Sequence, residues 1–253
     1  MPPSILSRAI ASSTFLAALL AGAVADAATW DYPALLERMI DPVQLAILPE
    51  PGETCRQWSS WDRASQYDAA SGQYVDWDAN KDGVGIIRKE GEAEVLAEME
   101  GPGCINRIWS ATAAEGHVKI YLDGASTPAV DLPFVKYFSG DTPPFNYPAL
   151  GYDLAGQQCR GLNLYLPIPY QKSCKIVAEP GWGRYYQFTY TTFPKDTQVP
   201  TFSTALVREH AQEVDRLNRL ISTNLGEQLT LDAKATPLDF EIDLAPGKRS
   251  VVA

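Results

Sequence analysis

The sequence predicts an all-β fold with accessory helices, a jelly-roll β-sandwich, and three observations carry that expectation. Aromatic residues and turn formers are both plentiful, with 12 Tyr, 8 Phe and 6 Trp beside 19 Pro and 18 Gly. Short stretches alternate apolar and polar residues with the period of half-buried strands. Gly/Pro turns separate those stretches, as in sandwiches and jelly rolls. With 253 residues, 45% of them hydrophobic, the chain can build a substantial core in one large domain or two modest ones.

Residues 1–27 read as a cleaved export signal. Arg8 supplies the positive end, Ala9 to Ala25 the apolar stretch, and Ala25-Asp26-Ala27 a small-x-small cleavage pattern. The mature protein is therefore expected in the periplasm or outside the cell. Asp31 to Met39 (DYPALLERM) reads as a short helix: Asp31 caps it, Pro33 suits its first turn, and Leu35, Leu36, Met39 and Ile40 form its apolar stripe. From there to about residue 202 the pattern is β. Ala93 to Met99 is one strand. His117 to Leu122 (HVKIYL) puts Val118, Ile120 and Leu122 on one face, and Asp123-Gly124 turns the chain. Leu162, Leu164, Leu166 and Ile168 share a face, and Pro167 and Pro169 confine that strand to an edge or an end. Cys174 to Ala178 and Arg184 to Phe193 follow.

Residues 203–226 read as one amphipathic connecting helix. Val207, Ala211, Val214, Leu217, Ile221 and Leu225 recur three or four apart, Ser203 or Thr204 caps the start, and Gly226 suits the end. Beyond it, Pro237 to Leu244 (PLDFEIDL) alternates as a strand, a turn follows at Pro246-Gly247, and Ser250-Val251-Val252 opens another. Residues 28–202 are thus expected to form a first sandwich, and residues 227–253 the opening strands of an incomplete second one.

The net charge of −10 argues against nucleic acid or an anionic membrane as partner, because phosphate binding needs basic patches. Cys55, Cys104, Cys159 and Cys174 contain no C-x-x-C, and His117 and His210 lie far apart, so no zinc site is expected. In an oxidising compartment the four are buried thiols or one or two structural disulfides, with three pairings open. Asp76 to Gly83 (DWDANKDG) matches the first half of a calcium loop. Position twelve, however, is Lys89 where that loop needs a bidentate Glu, so a polar hairpin turn is the expectation and a calcium-stabilised domain the alternative. No nucleophile elbow and no phosphate cradle appears, and neither a metal nor a cofactor is assigned. Trp58 to Arg63 (WSSWDR), with Tyr67, Asp68, Tyr74 and Trp77, combines flat apolar rings with carboxylates and a guanidinium, the mixture that holds sugars.

Several stretches share a source. Ser59-Ser60-Trp61-Asp62-Arg63, Gly101 to Trp109 (GPGCINRIW), Ile120 to Gly124 (IYLDG), Pro128 to Asp131 (PAVD), Leu166 to Ile176 (LPIPYQKSCKI) and Tyr185 to Phe188 (YYQF) resemble glycoside hydrolase family 172 over roughly residues 50 to 202. The resemblance implies two jelly-roll sandwiches per chain, trimers or multiples of them, and retaining hydrolysis of fructofuranosides or arabinofuranosides by two glutamates. The family's acidic motif, of the form Thr-Glu-Asp-Tyr-Phe, is not found here, so no catalytic residue is assigned. Trp61, Asp62, Arg63 and Tyr67 become candidate substrate-binding residues for an oligosaccharide or polysaccharide. The competing expectation is a non-catalytic carbohydrate-binding or assembly sandwich.

Overall fold

The computed structural model describes residues 28–41, 43, 46–76, 82–154, 161–223, 243 and 245–248. The expected export segment, residues 77–81 of the DWDANKDG loop, Cys159, the end of the expected connecting helix and nearly all of the expected second-sandwich strands lie outside the described residues.

Helix α1 (Tyr32–Glu37) starts where the sequence predicts, with the Asp31 carboxylate accepting the Ala34 amide at 2.8 Å. Among the described residues thirteen strands follow: β1 (Thr54–Ser59), β2 (Gln66–Asp68), β3 (Gln73–Val75), β4 (Arg88–Glu90), β5 (Ala93–Glu100), β6 (Gly103–Ala113), β7 (His117–Leu122), β8 (Val130–Pro133), β9 (Gly151–Asp153), β10 (Leu162–Leu164), β11 (Ile168–Tyr170), β12 (Ser173–Ala178) and β13 (Gly183–Thr192). The first sheet runs β1-β13-β6-β10-β9, with β11 also on β6; the second runs β4-β5-β12-β7-β8. All of their pairings are antiparallel. Take β1, β5, β6, β7, β8, β10, β12 and β13 as strands one to eight. The sheets then read 1-8-3-6 and 2-7-4-5, which is the jelly-roll order.

The core lies between these sheets. Ile105, Ile108, Leu162, Leu164, Tyr186 and Phe188 point in from the first; Leu96, Met99, Val118, Ile120, Leu122 and Ile176 come from the second. Each such side chain stabilises the fold by about 1.5–3 kcal/mol relative to an exposed one. Two polar ties cross the gap. Trp58 donates to the Glu98 carbonyl at 3.0 Å, and the Tyr186 hydroxyl donates to the Leu96 carbonyl at 2.9 Å. An aromatic group of Phe134, Tyr137, Phe138 and Phe145 adds to the core, and the Tyr137 hydroxyl reaches the Val118 carbonyl at 2.7 Å.

Two predicted elements differ in detail. The Leu162 to Ile168 stretch is two strands, β10 and β11, both lying along β6. The connecting helix is broken into α2 (Thr204–Glu209) and α3 (Ala211–Thr223) at His210, which leaves helical geometry (φ −103°, ψ 28°) with its ring 5.8 Å from that of Tyr32. Its apolar stripe still packs inward through Val207, Val214 and Leu217. Cys104 and Cys174 are free thiols in the core, and burial pushes the Cys104 thiol up to about 12; Cys55 is free and exposed.

Candidate functional site

The four predicted sugar contacts fall on two local structures. Trp61, Asp62 and Arg63 follow β1 in one turn, where the Asp62 carboxylate accepts the Ala64 amide at 3.0 Å. The other Asp62 oxygen, Oδ2, is buried without a partner among the described residues, as is Ser65 Oγ. The Arg63 guanidinium lies 4.5 Å from the Trp61 ring centroid and 5.9 Å from that of Trp58. It donates to the Ser59 carbonyl at 2.7 Å and the Trp61 carbonyl at 3.2 Å. Burial draws its pKa below the ordinary value, against the nearby Tyr186 hydroxyl and Asp82 carboxylate. Much of Arg63 therefore serves the fold, while Trp61 stays 46% exposed beside it.

Gly85 fixes this turn. A Cβ there would stand 1.8 Å from the Trp61 carbonyl oxygen, so only glycine lets the segment leading into β4 lie against it. Tyr67 stands apart, on the β2–β3 hairpin. Its ring meets Tyr74 at 5.3 Å, both are about 60% exposed, and no hydrogen bond or ring contact joins it to Trp61, Asp62 or Arg63 among the described residues.

Two further surfaces are the outer faces of the sheets. On the second, a groove of about 770 Å³ is lined by Glu90, Glu98, Glu100, Tyr121 and Lys175. Its carboxylates are paired: Arg88 meets Glu90 at 2.7 Å and Glu98 at 2.6 Å, and Lys175 meets Glu90 at 2.7 Å. Lys175, then Arg88, holds Glu90 below the ordinary carboxylate value, and Arg88 does the same to Glu98. A general acid for glycoside cleavage needs the opposite shift, so that it carries a proton near neutral pH. Neither group has it.

On the first sheet, the outer face carries Arg107, Trp109, Asn163 and Gln187. Strand register sets Asn163 and Gln187 on either side of Trp109. Arg107 donates to Asn163 Oδ1 at 3.0 and 3.2 Å and to Gln187 Oε1 at 3.1 Å. Its guanidinium lies 6.0 Å from the Tyr165 ring, which stacks on Tyr152 at 6.3 Å. Sequence reasoning quoted Arg107, Trp109 and Gln187 only as parts of longer motifs and passed over Asn163. What unites them is lateral pairing, which no linear spacing records.

The sandwich and its surfaces match a known domain. Residues 51–210 fit the family model of the GH172 first beta-sandwich domain, well over half of the chain. The chain belongs to that family. Its function is accordingly related to glycoside hydrolysis. No curated protein matches the chain. The GH172 match begins just before β1 and ends at His210, so it covers both sheets, the Trp61 turn and the Arg107 face.

Proposed function

We propose that this GH172 chain forms the sugar-contacting first sandwich of an exported furanosidase, acting on fructofuranosyl or arabinofuranosyl linkages in oligosaccharides or polysaccharides. The match over residues 51–210 carries this reading. Trp61 and Tyr67 offer exposed rings to the C–H faces of the sugar, and Asp62 and Arg63 sit at the base of the Trp61 turn. Retaining hydrolysis requires two carboxyls about 5–5.5 Å apart, one of them protonated at working pH. Glu90 and Glu98 are held ionised by Arg88 and Lys175, so this reading assigns the catalytic pair to a second sandwich. Assembly into trimers or their multiples belongs to the same proposal.

A second reading has one observation in its favour, the depressed carboxylates of the groove on the second sheet. Under it the sandwich binds sugar and performs no hydrolysis. One experiment separates the two. The protein from its native source, and the purified 253-residue chain, are incubated with nitrophenyl fructofuranosides and arabinofuranosides, and the chain is titrated with fructan and arabinan oligosaccharides by calorimetry. The furanosidase reading expects turnover by the native protein, and binding by the chain that weakens in Trp61→Ala and Tyr67→Ala. Binding without turnover by the folded native protein favours the module. Neither binding nor turnover overturns both.

A further inference from the structure

The outer face of the first sheet has an imbalance that follows from elementary hydrogen-bond chemistry. A guanidinium only donates. The amide oxygens of Asn163 and Gln187 must therefore face Arg107, which fixes both amide orientations, and each NH2 group points away from it. Both side-chain acceptors of the cluster are thereby engaged. What remains is donors: two N–H groups of Arg107, the NH2 groups of Asn163 and Gln187, and the Trp109 indole N–H. None of them has an acceptor among the described residues, and Arg107 has no ion-pair partner there. Asn163 is only 6% exposed, so its place in the cluster is fixed.

Gly161 packs close to these donors. A Cβ on it would stand 3.2 Å from Trp109 Nε1 and 3.7 Å from Asn163 Nδ2, so a side chain there would crowd the indole and amide N–H groups. Beside it the stacked rings of Tyr165 and Tyr152 form a flat apolar surface.

We propose that Arg107, Trp109, Asn163 and Gln187 form a binding site for the carboxylate of an acidic sugar, with the ring of that sugar lying along Tyr165. A neutral hydroxyl both donates and accepts, and here it finds few acceptors, the second lone pair of Gln187 Oε1 and the neighbouring tyrosine hydroxyls, against many donors. A carboxylate accepts only, and a guanidinium with amide and indole N–H groups around it is its complement. On a chain of net charge −10, a cation without a carboxylate partner is a local site for an anion. The choice of a sugar over other carboxylates rests on the glycoside-related reading of the family. The site adjoins the Trp61 turn, because Gln187 pairs with Ser59 two residues before Trp61, so an acidic residue of the glycan bound here would sit beside a furanoside held at that turn.

The test is titration of the isotope-labelled chain with glucuronic acid and digalacturonic acid, and with glucose and galactobiose as neutral controls, read by amide and side-chain NMR shifts. The proposal expects shifts at Arg107, Trp109, Asn163 and Gln187 with the acids. Binding of the neutral sugars should be at least about tenfold weaker, and acid binding should weaken with salt. Arg107→Gln should abolish the response. Asn163→Asp guards against a variant that fails to fold: it is isosteric, gives Arg107 an internal carboxylate, and should fold normally yet lose the acid. Equal binding of neutral and acidic sugars overturns the proposal, as does acid binding unchanged in N163D. Shifts at these residues that grow with protein concentration alone would assign the face to a second copy of the chain instead. Indifference to the acids, with furanosides still bound or hydrolysed, removes this site and leaves the furanosidase reading standing.

Discussion

On the outer face of the second sheet, Arg88 meets Glu90 and Glu98, and Lys175 meets Glu90. On the outer face of the first, Arg107 meets only the amide oxygens of Asn163 and Gln187. The two faces back onto one core, yet one closes its charges on itself and the other leaves donors unanswered. A closed network is a solvated surface of small energetic weight. An open one is a surface that waits for a ligand. The groove on the second sheet is therefore the weaker functional candidate, and its volume alone misleads here.

The comparison presumes that both faces are carried by one cooperative core, and the largest expected effect tests that. Phe188 is fully buried between the sheets, on the strand that also presents Gln187. Phe188→Ala should cost about 3–5 kcal/mol in urea unfolding. Loss of the first sheet alone, with the second still protected from hydrogen exchange, would break the assumption.

Next comes the rim that joins β7 to β12. Asp123, at φ 55°, accepts the Lys172 amide at 2.5 Å, the Ser173 amide at 3.1 Å and the Gln171 amide at 3.3 Å, and the Thr201 hydroxyl. Burial raises its pKa, but the Thr201 hydroxyl and the amides outweigh that and hold it below the ordinary 3.8. Asp123→Ala leaves those amides unmet and should destabilise by about 1–3 kcal/mol. The sign for pH follows from the lowered value. The stabilisation is complete above the ordinary carboxylate pKa and is lost as pH falls through the lower folded one, so the wild-type and Asp123→Ala melting curves should converge in acid.

The second face should respond more weakly. Arg88→Gln is expected to move the melting midpoint by little at neutral pH, because its partners are exposed and salt-screened. It should leave saccharide binding unchanged. Glu90 and Glu98 have depressed pKa values, so whatever they contribute is present above 4.5 and fades below it. A loss of saccharide binding in Arg88→Gln would reverse the ranking of the two faces.

Much of the frame was legible in the sequence. β7 matches its alternation residue for residue, β5, β12 and β13 fall within a residue or so of the expected spans, and α1 begins at its predicted cap. The hub of the first sheet was not. β6 pairs with β13, β10 and β11, yet its sequence GCINRIWSATA does not alternate. A bulge opposite Thr189 and Tyr190 sends both Ile105 and Ile108 inward, three residues apart, and the buried polar Ser110 finds its acceptor in the distant Arg184 carbonyl. The same bulge sets Arg107 and Trp109 on the outer face. Asn163 was hidden for a related reason: between Leu162 and Leu164 it looks like a solvated polar residue, and only β6 beside it shows that it is buried. Trp61, Asp62 and Arg63 are local in sequence and were therefore found together; Tyr67 was grouped with them by composition, though a hairpin sets it apart.

The finest test turns one face into the other. Asn163→Asp places a carboxylate where an amide oxygen now accepts from Arg107, giving the first sheet the kind of ion pair that Arg88 makes on the second. Shape is preserved, so the cost in packing should be near zero. Arg107 is only half-buried, so the gain should stay below about 1 kcal/mol at neutral pH and shrink as salt rises. Melting at low and high salt, for wild type and variant, measures it. A stabilisation that salt erodes means the wild-type guanidinium lacks a counter-charge, as an open anion site requires. A loss of stability would mean that Asn163 NH2 holds an acceptor of its own, and the contrast between the faces would narrow to a difference in hydrogen bonding alone.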